Sequence, residues 1–189
     1  MMLKPIFLIG FMGAGKSTLG RGLASCYPSL TYIDLDDVIE EREGMPVGEI
    51  FACRGEDYFR RRESELLREV SSGRDVIVGC GGGTPCHSGN MEWMNACGIT
   101  VLLQASLPVL LRRLLDAQAS RPLISGLSEK ELERFIEAKQ TERAPYYNRA
   151  MFRFCSDSLE TADEIRDSSL DFYTRFLNEK FKVGEDAAR

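Results

Sequence analysis

The stretch that most constrains this chain is the apolar run Ile6-Phe7-Leu8-Ile9, which passes without a break into GFMGAGKST, residues 10 to 18. Three glycines, one lysine and two hydroxyls directly after a short buried strand read as a tight loop opening a helix. Glycines let successive N–H groups turn inward toward an anion, and the new helix adds its positive end. Gly10 to Ser17 satisfies G-x-x-x-x-G-K-[ST] once in the chain. In that pattern Gly13, Ala14 and Gly15 supply the backbone cradle for the phosphates of a nucleotide. Lys16 reaches the β- and γ-phosphates, Ser17 sets a hydroxyl on Mg²⁺, and Thr18 supports the α-phosphate or caps the helix.

The rest of the chain repeats the alternation. TYID precedes LDDVIEERE, DVIVG precedes a helical stretch around Met91 to Ala96, and ITVLLQ precedes LPVLLRRLLDA. A long helical pattern over Ser128 to Tyr147, the run MFRFC, and a last helix from about Thr161 complete it. Strands alternating with helices imply parallel pairing, so the expected fold is an α/β three-layer sandwich around a five-stranded, mostly parallel sheet. Ligands bind such sheets at the carboxyl ends of the strands. The glycine loop, Asp34 and Asp36, Gly81 to Gly83, and Gln104 all follow predicted strands and are expected to open onto that edge. One domain over residues 1–180 is expected, with 181–189 a frayed tail. SRPLISGLS, residues 120 to 128, reads as a loop between two helices, with Leu123 and Ile124 expected to cover a bound ligand.

Composition narrows the partners. The 189 residues carry 24 basic and 29 acidic side chains, a formal net charge of −5, which argues against general attraction to nucleic acid or an anionic membrane. Six cysteines lie scattered with no C-x-x-C pair, and His87 is the only histidine. A zinc site therefore lacks its usual ligands, and reduced, mostly buried thiols are expected. The first ten residues hold too short an apolar run for a signal peptide, and no other stretch approaches membrane-spanning length. A cytoplasmic protein is the expectation.

A phosphate loop alone does not separate a kinase from a switch or a motor. The N-K-x-D and D-x-x-G signatures of a GTPase do not occur at suitable places, and 189 residues leave little room for motor machinery. A small-molecule kinase fits the size. Six pieces then resemble the shikimate kinase family in its order: GFMGAGKST, the D-x-D of IDLDD, GEDYFRRRE, the triple glycine of VGCGGG, the S-R-P-L of SRPLI, and ERAPYY. They run from about residue 5 to residue 155.

The resemblance implies a nucleoside monophosphate kinase-like sheet of strand order 2-3-1-4-5 and transfer of the ATP γ-phosphoryl group to the 3-hydroxyl of shikimate, with Mg²⁺. Shikimate joins a carboxylate to three ring hydroxyls, so its site needs a cationic fork and an opposed acceptor. The resemblance assigns the carboxylate to Arg60 and Arg143, with backbone contacts from Gly82 and Gly83, and a substrate-binding segment at about 35–62. It makes Asp36 the acceptor for the reacting hydroxyl and Asp34 the residue that holds Mg²⁺ through water, beside Ser17. Arg121, in a lid at about 116–127, matches the arginine that reaches the phosphates, and Arg113 matches one beside the adenine. No acidic residue ends VIVG, so Mg²⁺ is expected to rest on Ser17, phosphates and water, with Asp34 outside.

Plainer readings stand beside these. The D-x-D pair also suits helix capping after strand two, and Arg61 and Arg62 suit a solvated helix face. After the fifth strand, CSDSLETAD offers no evident match to the family's adenine contacts. The alternatives are another metabolite kinase of the same fold, such as gluconate kinase, and a nucleotide-binding module without catalysis. A monomer acting on shikimate and ATP, with no nucleic acid and no membrane, is the expectation.

Overall fold

The computed structural model describes residues 4–72 and 75–177. Five strands, β1 (Ile6–Ile9), β2 (Thr31–Asp34), β3 (Val76–Gly79), β4 (Ile99–Gln104) and β5 (Phe152–Cys155), form one sheet of order β2-β3-β1-β4-β5. Every neighbouring pair is parallel; Ile6 sits beside Ile77 on one side and Ile99 on the other. The expected strands, their direction and their order are all present.

Around the sheet lie α1 (Lys16–Cys26), α2 (Leu35–Glu43), α3 (Val47–Arg54), α4 (Glu56–Val70), α5 (Asn90–Cys97), α6 (Leu107–Asp116), α7 (Glu129–Tyr147) and α8 (Ala162–Phe176). Successive strand residues point to opposite faces, which divides the core in two. Ile6 and Leu8 of β1 pack with Leu19, Leu23, Leu110 and Phe172. Phe7 and Ile9 pack with Leu35, Ile39, Phe59 and Leu67. All four β1 side chains are therefore buried, the reason this strand reads as an uninterrupted apolar run.

After α2 the β2–β3 connection holds two further helices, α3 and α4, where the sequence pattern distinguished only the charged face of GEDYFRRRE. Gly55, at φ 80°, turns the chain between them. Capping boxes start α7, from Ser128 and Glu131, and α8, from Thr161 and Glu164. Met91 and Met94 are fully buried and Trp93 packs beside them, so they are core residues.

Two expectations change. Only Cys80 is buried; Cys86 and Cys97 are half-buried, and Cys26, Cys53 and Cys155 are exposed. Cys26 and Cys155 end α1 and β5, where a thiol emerges at the edge of its layer. Between α6 and α7 the chain makes 3-10 turns at Gln118–Ser120 and Pro122–Ile124. Ile124 is 0% exposed and belongs to the core, whereas Leu123 is 72% exposed. Of that pair only Leu123 is free to cover a ligand. The tail 181–189 lies outside the described residues.

Candidate active site

The loop between β1 and α1 is built on backbone that only glycine adopts readily. Gly10 has φ 143°, and a Cβ there would stand 2.6 Å from the Leu103 carbonyl oxygen; Gly15, at φ 86°, faces Leu159 Cδ1 at 2.5 Å. The Ala14 side chain is 1% exposed in the core, so Ala14 offers the loop its backbone. Lys16 Nζ donates to the Gly10 and Phe11 carbonyl oxygens at 2.9 and 3.0 Å, which holds its charge inside the loop's curve. Burial lowers the Lys16 pKa to about 8, against the opposing pull of Asp36.

β2 ends directly opposite. Asp34 Oδ2 accepts from Ser17 Oγ at 2.7 Å and from the Tyr32 hydroxyl at 2.9 Å, while Oδ1 accepts the Asp36 backbone N–H at 3.2 Å. Asp34 is thus both the cap of α2 and a partner of the loop's first hydroxyl, so the two readings of the D-x-D are complementary. Asp36, one step into α2, has its pKa raised to about 6, first by burial and then by the neighbouring Asp34 and Glu63 carboxylates, with Lys16 pulling the other way. A cavity of about 380 Å³ is lined by Lys16, Ser17, Thr18, Asp34, Asp36, Gly82, Arg113 and Arg121. Of the nucleotide residues named from the sequence, Gly13 and Gly15 line it as well.

The triple glycine after β3 explains how the second half of the site is assembled. A Cβ on Gly81 would lie 3.1 Å from Asp36 Oδ1 and 3.2 Å from Glu63 Oε1. On Gly82 it would lie 2.7 Å from Arg143 Nη1, and on Gly83, 2.7 Å from Arg60 Nη2. Three successive residues each surrender the side-chain position to a charged group from another element. The chain at 81–83 therefore brings Asp36, Arg143 and Arg60 into one neighbourhood that adjoins the nucleotide cavity. Tyr147, four residues after Arg143 on α7, donates to the Gly82 carbonyl oxygen at 2.7 Å.

Arg60 is held from three sides. Its Nη1 pairs with Glu63 Oε2 at 2.9 Å, its Nε with Glu56 Oε1 at 3.2 Å, and the guanidinium lies 5.1 Å from the Phe59 ring centre. Arg143 has a buried Nη1 with no hydrogen-bond partner, and its guanidinium lies 5.6 Å from the Phe11 ring centre. A buried donor without an acceptor is costly, so this nitrogen is poised for an anionic or carbonyl oxygen.

The sequence reading missed several members. Glu63, three residues after Arg60, resembles a surface pair partner, yet its side chain is 1% exposed and also accepts from Thr84 Oγ1 at 2.5 Å. Arg62 is less solvated than expected: it pairs at 2.8 Å with Glu43, whose side chain is 5% exposed. Arg113, and not its neighbour Arg112, is the inward residue. Its guanidinium donates to the backbone oxygens of Gly13, Ser156 and Asp157 and pairs with Glu160, so it ties the segment after β5 to the phosphate loop. Leu159 and Glu160 line the cavity there, the contribution that CSDSLETAD did not announce. Only their position after a strand gave any signal.

A sequence model of one protein family, described as shikimate kinase, matches residues 12–174. The chain belongs to the shikimate kinase family. The shikimate kinase of Phocaeicola vulgatus is 47% identical over 176 residues, covering 93% of this chain and 99% of that one. The crystal structure of the shikimate kinase from Bacteroides thetaiotaomicron superposes with a TM-score of 0.87 at 42% identity, covering 92% of this chain and 98% of that one. The shikimate kinase from Acinetobacter baumannii, solved in complex with shikimate, gives 0.80 at 30% identity, with 95% and 96% covered. Glu63 and Tyr147 lie inside the quoted stretches GEDYFRRRE and ERAPYY, but only their burial and bonding mark them as members of the site.

Proposed function

We propose that the protein transfers the γ-phosphoryl group of ATP to the 3-hydroxyl of shikimate, giving shikimate 3-phosphate and ADP. The observation that carries this reading is the neighbourhood at Gly81–Gly83, where an acceptor carboxylate, Asp36, and two arginines, Arg60 and Arg143, stand beside a phosphate loop. A substrate with a carboxylate at one end and a hydroxyl at the other suits that arrangement, with charge-assisted bonds at Arg60 and Arg143 fixing its orientation.

The donor set suits Mg²⁺. Among the described residues no group of three His, Cys, Asp or Glu side chains is placed to hold a metal, while Ser17 Oγ and Asp34 offer hard oxygens at the loop. Mg²⁺ ordinarily keeps several waters and takes its remaining ligands from phosphates and one or two protein oxygens. Ser17 would bind it directly and Asp34 through water. Bound there with ATP, it supplies charge neutralisation at the β- and γ-phosphates.

In the reaction Asp36, ionised at neutral pH with its pKa near 6, accepts the hydroxyl proton as the new O–P bond forms. The bond from phosphorus to the bridging oxygen breaks, and its electron pair leaves with ADP. Lys16 and Arg121 offset the charge that gathers on the transferring group. The segment at about 116–127 acts as the lid that carries Arg121 onto the phosphates and keeps out water, the competing acceptor. Arg121→Ala is then expected to lower kcat more than it raises the shikimate KM.

No helix among the described residues is long and apolar enough to cross a membrane. We infer a monomer working in the cytoplasm with no nucleic-acid or membrane partner, the last supported by the net charge of −5. The deciding experiment is a coupled ADP-release assay run with shikimate, gluconate and quinate. Release that depends on shikimate alone supports the reading. Equal release with gluconate, or none with any of the three, overturns it.

A further inference from the structure

We propose that the Tyr32 hydroxyl is a positioning group for the magnesium site, acting through Asp34. The inference rests on the magnesium-dependent transfer proposed above. Tyr32 and Asp34 are two residues apart on β2, so both side chains project from the same face of the sheet, toward α1. The Tyr32 hydroxyl donates to Asp34 Oδ2 at 2.9 Å, and Ser17 Oγ donates to that same oxygen at 2.7 Å.

The ring occupies a slot that two glycines keep open. A Cβ on Gly20, in α1, would lie 2.1 Å from Tyr32 Cε2, and a Cβ on Gly79, at the end of β3, would lie 2.2 Å from the hydroxyl oxygen itself. Neither distance is possible for real atoms, so any larger residue at 20 would expel the ring and any at 79 would displace the hydroxyl. Asp34 pairs in register with Gly79, which sets the hydroxyl at the level of the carboxylate.

The chemical consequence concerns Ser17. A serine hydroxyl has one proton and two lone pairs; when its proton is committed to Asp34, both lone pairs turn away and are available to a cation. That commitment requires a carboxylate in a fixed place. Oδ1 is held by the Asp36 N–H and Oδ2 by Tyr32, so Asp34 presents one orientation to Ser17. Partners of this kind, one step removed from the metal, are typically worth about 10- to 100-fold in metal affinity.

The test is Mn²⁺ binding to the ADP complex of the full chain, followed by electron paramagnetic resonance, for wild type, Tyr32→Phe, Asp34→Asn and the double variant. Tyr32→Phe keeps the ring in its slot and removes only the hydroxyl. Expected is a loss of about 10-fold in Mn²⁺ affinity for Tyr32→Phe, no further loss when it is added to Asp34→Asn, and a shikimate dissociation constant within twofold of wild type. Mn²⁺ affinity unchanged in Tyr32→Phe overturns the inference. So does an equal loss in the Asp34→Asn background, or a parallel fall in shikimate affinity, which marks a merely structural hydroxyl. A wild-type protein that binds Mn²⁺ with ADP but releases no ADP with shikimate would refute the substrate reading and leave the judgement on Tyr32 to the metal measurement.

Discussion

Asp36→Asn is expected to stabilise the folded protein at neutral pH while nearly abolishing turnover. Asp36 sits in the curve between Lys16, Asp34 and Glu63, and burial is the largest influence lifting its pKa from 3.8 to about 6. The sign follows from linkage. Below pH 3.8 the carboxyl is protonated in both folded and unfolded chains and contributes nothing. Between 3.8 and about 6 the unfolded chain gives up the proton and the folded one keeps it, so stability falls as pH rises. Above about 6 both are ionised and the full penalty stands, about 3 kcal/mol at about 1.4 kcal/mol per tenfold change in proton affinity. Asn keeps the shape and removes the charge.

For a chain of this size 1 kcal/mol moves Tm by about 2 to 4 °C, so the variant is expected to melt higher than wild type by about 6 to 12 °C at pH 7.5. At pH 3.5 the two should melt together. Activity moves the opposite way, down by about 10²- to 10⁴-fold, the ordinary worth of a general base. Wild-type kcat/KM should rise with pH through about 6 as Asp36 ionises and fall above about 8 as Lys16 loses its proton. The assays are thermal melts followed by circular dichroism from pH 3.5 to 7.5 and coupled ADP release over the same range and up to pH 9. A Tm difference independent of pH, or turnover within tenfold of wild type, would refute the assignment of a strained catalytic carboxylate.

Three further outcomes are expected. Lys16→Met should lose phosphoryl transfer with its circular dichroism spectrum unchanged, because positioning and charge neutralisation supply nearly all catalysis here; near-normal turnover in the folded variant would sink the nucleotide assignment. Arg60→Ala and Arg143→Ala should each raise the shikimate KM by about 10- to 100-fold and the ATP KM far less, with Lys restoring only part, since charge-assisted bonds are worth about 1.5 to 3 kcal/mol and a point charge makes no fork. Equal damage to both substrates would show the pocket to lie elsewhere. Gly82→Ala, whose new Cβ would fall 2.7 Å from Arg143 Nη1, should mimic Arg143→Ala in its kinetic pattern; an unchanged shikimate KM would mean that the arginine does not need that space.

What was legible in the sequence is what scarce residue types and local patterns encode. The run IFLI followed by three glycines and a lysine has few other uses, and strands buried on both faces read as apolar runs wherever they occur. What was illegible depends on neighbours far along the chain. Glu63 looks like one more i, i+3 partner on a charged helix until Thr84, 21 residues later, is seen to donate to it from a buried turn. Ile124 looks like half of a lid's apolar cover until it is found in the core. Arg112 and Arg113 are indistinguishable in sequence; one step around α6 leaves the first side chain 57% exposed and the second 14%.

The triple glycine lies between these cases. Its position after a strand announced an exposed backbone at the ligand edge, but a glycine's absence of a side chain says nothing about what comes to occupy the room. Here Asp36, Arg143 and Arg60 arrive from α2, α7 and α4 to stand in turn against Gly81, Gly82 and Gly83. The same logic holds at Gly20 and Gly79 around Tyr32. At these five positions the glycines act less through backbone freedom than through vacated volume. Their meaning is carried by the side chain that enters, and that side chain is fixed only once the sheet has brought distant helices together.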